Sequence, residues 1–177
     1  MPDINILLVP GSLREASSSR ATARALAHRL GDHATFTTAD IGKLPHYNAD
    51  VTGNTGVAEF LGLVQAADGI IFVTPEYNYS VPGVLKNAID WASRPAYASV
   101  FRDKPCCVVS VSGGALGGVR AQAHLKYILN GMLARVHSCK EIVIPHANAK
   151  VSDGMLNDED VLAFAETEIR PFLDSLG

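Results

Sequence analysis

Residues 75 to 83 form a loop of aromatic, amide and hydroxyl side chains, reading Pro-Glu-Tyr-Asn-Tyr-Ser-Val-Pro-Gly. The apolar run before it, residues 69 to 74, is rich in β-branched and aromatic residues and predicts a buried strand. Open α/β sheets bind ligands at the carboxyl ends of their strands. Flat aromatic rings beside backbone amides therefore suit a flat ligand with polar edges, such as a flavin. The alternative is a tight turn ending at Pro82-Gly83, with its tyrosines on the surface.

A second candidate loop, residues 11 to 20, is rich in serine and reads Gly-Ser-Leu-Arg-Glu-Ala-Ser-Ser-Ser-Arg. Serine hydroxyls and the free amides of a helix start can donate to phosphate oxygens, and the helix dipole favours an anion there. Arg14 or Arg20 can add a charge-assisted bond. Simple N-capping would need one serine, so the repeated hydroxyls favour a phosphate site. Neither Gly-Lys-Ser/Thr nor Gly-x-Gly-x-x-Gly occurs, which argues against a triphosphate P-loop and a Rossmann dinucleotide site.

A third loop, residues 112 to 120, is rich in glycine and reads Ser-Gly-Gly-Ala-Leu-Gly-Gly-Val-Arg. Glycines let the backbone approach a ligand closely, although a flexible connector between strand and helix has the same composition. The ligand interpretation gains weight because all three loops follow predicted strands of one sheet and should converge.

Other kinds of site are disfavoured. The six histidines are scattered without i, i+4 ligand spacing, so we expect no metal site. The Gly-x-Ser-x-Gly motif of many hydrolases does not occur, which argues against a hydrolase. The first strand does not end in the acidic cluster that phosphoryl-accepting receiver domains have at this place, which argues against a receiver domain. Cys106 and Cys107 are expected to fill the core.

The elements that must position these loops alternate along the chain. Apolar and β-prone runs predict strands at 4–9, 34–39, 69–74, 106–111 and 141–144. Periodic apolar positions predict helices at 18–30, 57–64, 84–92 and 121–133, and from about Asn157 onward. This α/β alternation implies a parallel sheet covered on both faces. A five-stranded doubly wound sheet would place a ligand crevice between its first and third strands. The irregular segment 41–56 could be a lid or an interface loop.

The composition of the 177 residues is that of one globular domain spanning 1–177, with 47% hydrophobic and 19% charged residues. The net charge of −3 gives no basic field for nucleic acid. Three cysteines without Cys-x-x-Cys spacing predict reduced thiols and a cytoplasmic location. The short apolar start without a basic leader predicts neither a signal peptide nor a membrane span.

These motifs together resemble the NADPH-dependent FMN reductase family, the flavodoxin-like group of quinone, chromate and azo-dye reductases. The resemblance covers nearly the whole chain in order. It is carried by residues 11–14, the serines through Ser19, residues 75–78, residues 82–91, and the glycine loop followed by Arg120-Ala121.

The resemblance implies a flavodoxin-like three-layer sandwich with strand order 2-1-3-4-5, tightly bound FMN, and homodimers that often pair into homotetramers. The family often has Asn where this chain has Ser19, so a shorter side chain would hold FMN more weakly or through water. By position, the phosphate would lie against Ser12, Arg14, Ser17 and Ser19, one edge of the ring against Pro75, Glu76, Tyr77 and Asn78, and its far side against Ser112 and Gly114.

The function expected from this resemblance is an FMN-dependent NAD(P)H oxidoreductase. Electrons would pass from NADPH or NADH to the flavin and on to quinones, FMN, chromate or azo compounds by a ping-pong mechanism. The flavin would carry the chemistry, so no side chain is predicted to be catalytic. Two alternatives stay open, a flavodoxin-type single-electron carrier and a flavin-free scaffold or ligand sensor on the same fold.

Overall fold

A parallel sheet forms the centre of the computed structural model, which describes residues 4–177. Its strand positions follow the order 2-1-3-4-5, which confirms the predicted topology. Neighbouring strands are in parallel register, with Leu7 opposite Ile70 and Ile70 opposite Cys106. The four strands before the fifth position are β1 (Asn5–Pro10), β2 (Thr35–Thr38), β3 (Gly69–Pro75) and β4 (Pro105–Val111).

The fifth position of the sheet is built from two short strands, β5 (Arg135–Val136) and β6 (Ile142–Ile144), both paired with β4. The prediction of one strand at 141–144 therefore located β6 and missed β5. Residues 137–141 leave the sheet between them, and there the backbone amide of Lys140 donates to the Glu168 carboxylate at 3.0 Å instead of to β4. A two-residue strand that contains an arginine gives no readable β pattern.

Helices cover both faces of the sheet and complete the predicted three layers. On one face, α1 (Ser18–Arg29) and α5 (Glu159–Asp174) pack on the side chains of Ile6 and Leu8. The alternate strand residues, such as Leu7, point to the other face, as strand geometry requires. That face is covered by α2 (Thr55–Ala66), α3 (Gly83–Ala92) and α4 (Val119–Gly131).

Polar side chains cap three of the helices at their first turns. Ser17 accepts from the Arg20 amide at α1, Asn54 from the Val57 amide at α2, and Asp158 from the Val161 amide at α5. The start of α5 at Glu159 lies within two residues of the predicted start. Two 3-10 turns, Ile41–Lys43 and Ala147–Lys150, and a small hairpin of β7 (Val151–Ser152) and β8 (Met155–Leu156) were not predicted.

The irregular segment 41–56 is fastened to α3. The carbonyl of Pro45 accepts hydrogen bonds from Asn87 at 2.9 Å and from the Trp91 indole at 2.8 Å. The Tyr47 ring meets the Trp91 ring edge-on at 5.0 Å. Trp91 is only 8% exposed, so it belongs to the core.

Among residues 4–177, the longest helices are too short or too polar to cross a bilayer.

Candidate active site

Three loops converge at the carboxyl edge of the sheet because β1, β3 and β4 are neighbours there. They enclose a cleft and, directly beside it, a second cavity that shares Glu76 and Ser112 with it. All ten residues predicted for the site line one of these two cavities. The cleft contains Ser12, Arg14, Ser17, Ser19, Pro75, Glu76, Tyr77 and Ser112, and the second cavity adds Asn78 and Gly114.

The serine loop presents buried hydroxyl groups at the amino end of α1. Ser12, Ser17 and Ser19 are each at most 5% exposed. The Ser17 and Ser19 hydroxyls contact each other at 3.3 Å. Within residues 4–177, the backbone amides of Ser18 and Ser19 have no hydrogen-bond partner. Unpaired amides and clustered hydroxyls at a helix start form a cradle for an anion.

The two arginines of this loop have different environments, which separates their roles. Arg20 donates from Nε to the Ser12 carbonyl at 3.3 Å and so holds the loop in shape. Arg14 is exposed, and its guanidinium has no hydrogen bond or ion pair within the described part of the chain. Its backbone amide donates to the Ser12 hydroxyl at 3.3 Å, which places the residue at the cleft. Arg14 is therefore the cation available to an anionic ligand.

The aromatic loop makes a two-residue hairpin turn. Tyr77 and Ser80 exchange backbone hydrogen bonds at 3.0 and 3.1 Å. Between them, Asn78 and Tyr79 have φ values of 50° and 67°, which matches a type I′ turn and its preference for Asn. The Tyr77 hydroxyl lies 3.1 Å from the Ser12 hydroxyl and links this loop to the serine loop. Tyr79 is 67% exposed at the mouth of the second cavity.

Glu76 joins the aromatic loop to the glycine loop. Its carboxylate accepts hydrogen bonds from the backbone amides of Arg120 at 3.0 Å and Ala121 at 3.3 Å. It also pairs with the Arg120 guanidinium at 3.2 Å. The residue that precedes α4, Gly118, has no side chain with which to cap the helix. Glu76 therefore supplies the missing cap, and its charge is neutralised within the protein.

The glycine loop turns sharply beside the cavity. Gly117 and Gly118 have φ values of 59° and 82°, and a Cβ on either would lie 3.0–3.1 Å from the neighbouring strand residues. These two positions therefore require glycine. The Gly114 amide donates to the Ser112 hydroxyl at 3.1 Å, and the Ala147 amide donates to the Ser112 carbonyl at 2.9 Å.

Sequence reasoning missed Asn148, which lines the cleft from the 3-10 turn after β6. Its Oδ1 accepts from the Ser18 hydroxyl at 2.8 Å. Its amide nitrogen lies 2.8 Å from the place of a Cβ on Gly113, so a larger residue there would displace it. The available signal was its position, because the loop after the fifth strand of a parallel sheet opens at the same edge as the other three.

The donor set of the cleft suits an anion attached to a polar ring. It consists of hydroxyls, unpaired amides, one free guanidinium and the amide of Asn148. The carboxylate that lines it, Glu76, is 13% exposed and bonded to Arg120. Within residues 4–177, no group of three or more His, Cys, Asp or Glu side chains could hold a metal ion.

Comparison with known proteins places the chain in a family. Residues 4–149 match the NADPH-dependent FMN reductase family. A 2-hydroxy-1,4-benzoquinone reductase of a Burkholderia species is 38% identical over 167 residues, covering 93% of this chain and 91% of that protein. An NAD(P)H-dependent FMN reductase of Pseudomonas aeruginosa is 37% identical over 172 residues, covering 95% and 92%.

A solved structure agrees with these sequence matches. The flavoenzyme NAD(P)H:(acceptor) oxidoreductase FerB of Paracoccus denitrificans superposes with a TM-score of 0.87 at 32% identity, covering 98% of this chain and 97% of that one. The protein is a flavodoxin-like α/β protein with a cleft at the carboxyl ends of β1, β3 and β4. It belongs to the NADPH-dependent FMN reductase family.

Proposed function

We propose that this protein is an FMN-dependent NAD(P)H oxidoreductase that reduces quinones and similar flat acceptors in one open site. The observation that carries the proposal is the junction of an anion cradle with a polar, aromatic turn between β1 and β3. The relatives are named as quinone and FMN reductases, which supports a reductase over a single-electron carrier.

The residues of the cleft fit FMN. Its phosphate would occupy the cradle of Ser12, Ser17 and Ser19, where unpaired amides and the free Arg14 guanidinium need an anionic partner. Its ring would lie against residues 75–78 on one side and against Ser112 and Gly114 on the other. When bound, FMN supplies the redox chemistry, taking a hydride from NAD(P)H and passing electrons to the acceptor.

The protein's own part is positioning and electrostatics. Tyr77 ties the ring side of the cleft to the phosphate side through Ser12. Glu76 ties the aromatic loop to α4, and its bonds to Arg120 neutralise the carboxylate that lines the cleft. None of these side chains needs to exchange a proton with substrate, so we assign no acid or base.

One open site would serve both nicotinamide and acceptor. The second cavity is bordered by Tyr79 and Leu116, which are 67% and 52% exposed, beside the polar turn. An apolar, solvent-facing border of this kind accepts many flat molecules, which fits a broad range of quinone and azo acceptors. Sharing the site would make the kinetics ping-pong.

We also propose a cytoplasmic homodimer or homotetramer. Large side chains exposed outside the cleft include Tyr97 at 69%, Tyr127 at 81% and Leu133 at 44%. Exposed apolar surface of this kind often marks an interface. Light scattering at low micromolar concentration should give at least twice the mass of one chain, and a monomer would contradict this.

The proposed activity is tested by the visible spectrum of the purified protein under anaerobic conditions. A yellow protein that bleaches on addition of NADPH or NADH, and regains its colour with a quinone, is a reductase. A yellow protein that neither nucleotide bleaches is a carrier. A colourless protein that fails to take up added FMN is neither, and would contradict the cofactor assignment as well.

A further inference from the structure

Two cysteines far apart in the sequence meet at the break in the fifth strand position. Cys106 on β4 is opposite Val136, and the pairing resumes only where Val109 meets Ile142. Residues 137–141 therefore pass alongside Cys107 without pairing with it. Cys139 lies in the middle of this detour, and its side chain is close enough to that of Cys107 for the two thiols to interact.

The two sulfurs differ in their access to solvent. Cys107 is fully buried among the apolar residues under α1 and α5, whereas Cys139 is partly exposed. Cys106 is also fully buried, but it points to the opposite face of the sheet, as alternate strand residues must. Of the two thiols, that of Cys139 is therefore the one that dissolved reagents can reach, and the Cys107 thiol lies beside it.

The surroundings of Cys139 favour its thiolate. Its pKa is lowered to about 7, mainly by the hydrogen bond from Cys107 and also by the Lys126 ammonium on α4. Partial burial and the carboxylates of Glu168 on α5 and Glu141 oppose this lowering of the pKa. About half of Cys139 is therefore ionised near neutral pH, and the thiolate is the reactive form of cysteine. Burial raises the pKa of Cys106 to about 12, and Cys139 and burial together raise the pKa of Cys107 well above its ordinary value, so Cys139 is the most readily ionised of the three thiols.

We propose that Cys107 and Cys139 form a peroxide-sensitive dithiol that closes into an intrachain disulfide. The Cys139 thiolate attacks one oxygen of a hydroperoxide ROOH, the O–O bond breaks, and the products are a sulfenic acid on Cys139 and ROH after protonation. The sulfur of Cys107 then attacks the sulfenic sulfur, and its proton leaves with the hydroxyl as water. In total, two thiols lose two electrons and two protons, and ROOH becomes ROH and H2O.

The detour 137–141 gives the bond room to form. Its anchors lie at its ends: the His137 amide donates to the Cys106 carbonyl at 2.8 Å, and the Lys140 amide donates to Glu168 at 3.0 Å. No strand pairing to β4 fixes Cys139 itself. The sulfur of Cys139 can therefore approach that of Cys107, as a disulfide requires, without breaking the sheet.

The test is thiol counting and peptide mapping after peroxide treatment. The full-length protein, as purified, is treated with a small excess of hydrogen peroxide at neutral pH and quenched, and its free thiols are alkylated in denaturant. We expect the three thiols of the untreated chain to fall to one. Mass spectrometry should recover a peptide that links Cys107 to Cys139, and dithiothreitol should restore all three thiols.

Three variants distinguish this pair from general oxidation. Cys106→Ser should still form the disulfide, whereas Cys139→Ser, a change in a partly exposed loop, should keep its remaining thiols reduced. Cys107→Ala should stop at a sulfenic acid on Cys139 that dimedone traps. The proposal is overturned if wild-type Cys139 stays reduced under conditions that oxidise free cysteine, if it goes to sulfinic acid without a cross-link, or if Cys139→Ser loses thiols as quickly as the parent.

Discussion

The Glu76 carboxylate, at the end of β3, closes the amino end of α4 by accepting a hydrogen bond from the backbone amide of Arg120 at 3.0 Å. A single side chain of the aromatic loop thereby fixes the start of the helix that follows the glycine loop. The Arg120 guanidinium lies 4.5 Å from the centre of the Tyr79 ring and extends the connection back to the hairpin turn. Two of the three site loops are therefore held as one unit.

Replacing Glu76 by alanine should loosen this unit. The amides of Arg120 and Ala121 would lose their partner, and loss of a helix cap costs about 0.5–2 kcal/mol of folding free energy. FMN affinity should fall as well. Glu76→Gln keeps an acceptor oxygen, so its stability and FMN affinity should lie between those of the parent and Glu76→Ala. Urea denaturation measures the first effect and flavin fluorescence titration the second.

Glu59→Ala is the matched control for the Glu76 variants, because Glu59 lies on α2, lines neither cavity, is exposed, and has no side-chain hydrogen bond or ion pair within residues 4–177. It should leave both stability and affinity near those of the parent. If Glu76→Ala behaved like Glu59→Ala, the capping role would be wrong.

Arg14→Ala should weaken FMN binding and leave folding unchanged. The guanidinium has no partner within residues 4–177, so its removal breaks no internal contact. A charge-assisted bond to phosphate contributes about 1.5–3 kcal/mol, so affinity should drop roughly ten- to hundredfold. Fluorescence titration measures the loss, and Arg102→Ala, an exposed arginine beside the opposite end of β4, is the control. Equal FMN affinity in Arg14→Ala and the parent would remove Arg14 from the phosphate site.

Substitutions of Asn78 and Tyr79 test whether the nicotinamide and the acceptor share one site. Asn78→Gly removes the amide side chain and keeps a residue suited to the φ of 50°, whereas Asn78→Ala also strains the turn. Because small misplacements of reacting groups are costly, Asn78→Gly and Tyr79→Ala should each lower turnover with NAD(P)H and with quinone together. Steady-state kinetics of the parent should give parallel double-reciprocal lines. Intersecting lines would show that both substrates bind at once, at two places.

Much of this fold follows from local pattern. The buried runs of β1, β3 and β4 are continuous and apolar, as central parallel strands are, and their loops contain all ten expected site residues. The strand order came from resemblance, since periodicity alone does not determine which strands pair.

The features that escaped prediction depend on contacts distant in sequence. β5 exists because Arg135 and Val136 meet β4, and Asn148 joins the cleft because β6 ends at the same sheet edge. The hydrogen bond from the Trp91 indole to the carbonyl of Pro45, forty-six residues away, is another such contact. The cap that Glu76 provides to α4 is likewise invisible locally, because capping patterns are sought within the helix's own first turn.

Asp158 should make folding stability depend on pH in the acid range. Its pKa is held below its ordinary value of 3.8 by a hydrogen bond from the Lys150 ammonium and by the Val161 amide at the start of α5. The salt bridge to Lys150 is 2.7 Å long. A lowered pKa means that the folded chain favours the ionised carboxylate. Its contribution is therefore complete above the ordinary pKa and is lost as the pH falls through the lower, folded-state pKa.

Asp158→Asn keeps a capping oxygen but loses the charge. The parent should exceed this variant in unfolding free energy by a constant amount from neutral pH down to about 4, and the gap should shrink in stronger acid. Urea denaturation at a series of pH values measures the gap, and the other carboxyl groups cancel because both proteins contain them. Asp160→Asn, in the same first turn and exposed, should give a smaller gap, since it loses only the interaction with the helix dipole. A gap between the parent and Asp158→Asn that stays constant or widens in acid would mean that the Asp158 carboxylate is not stabilised by folding.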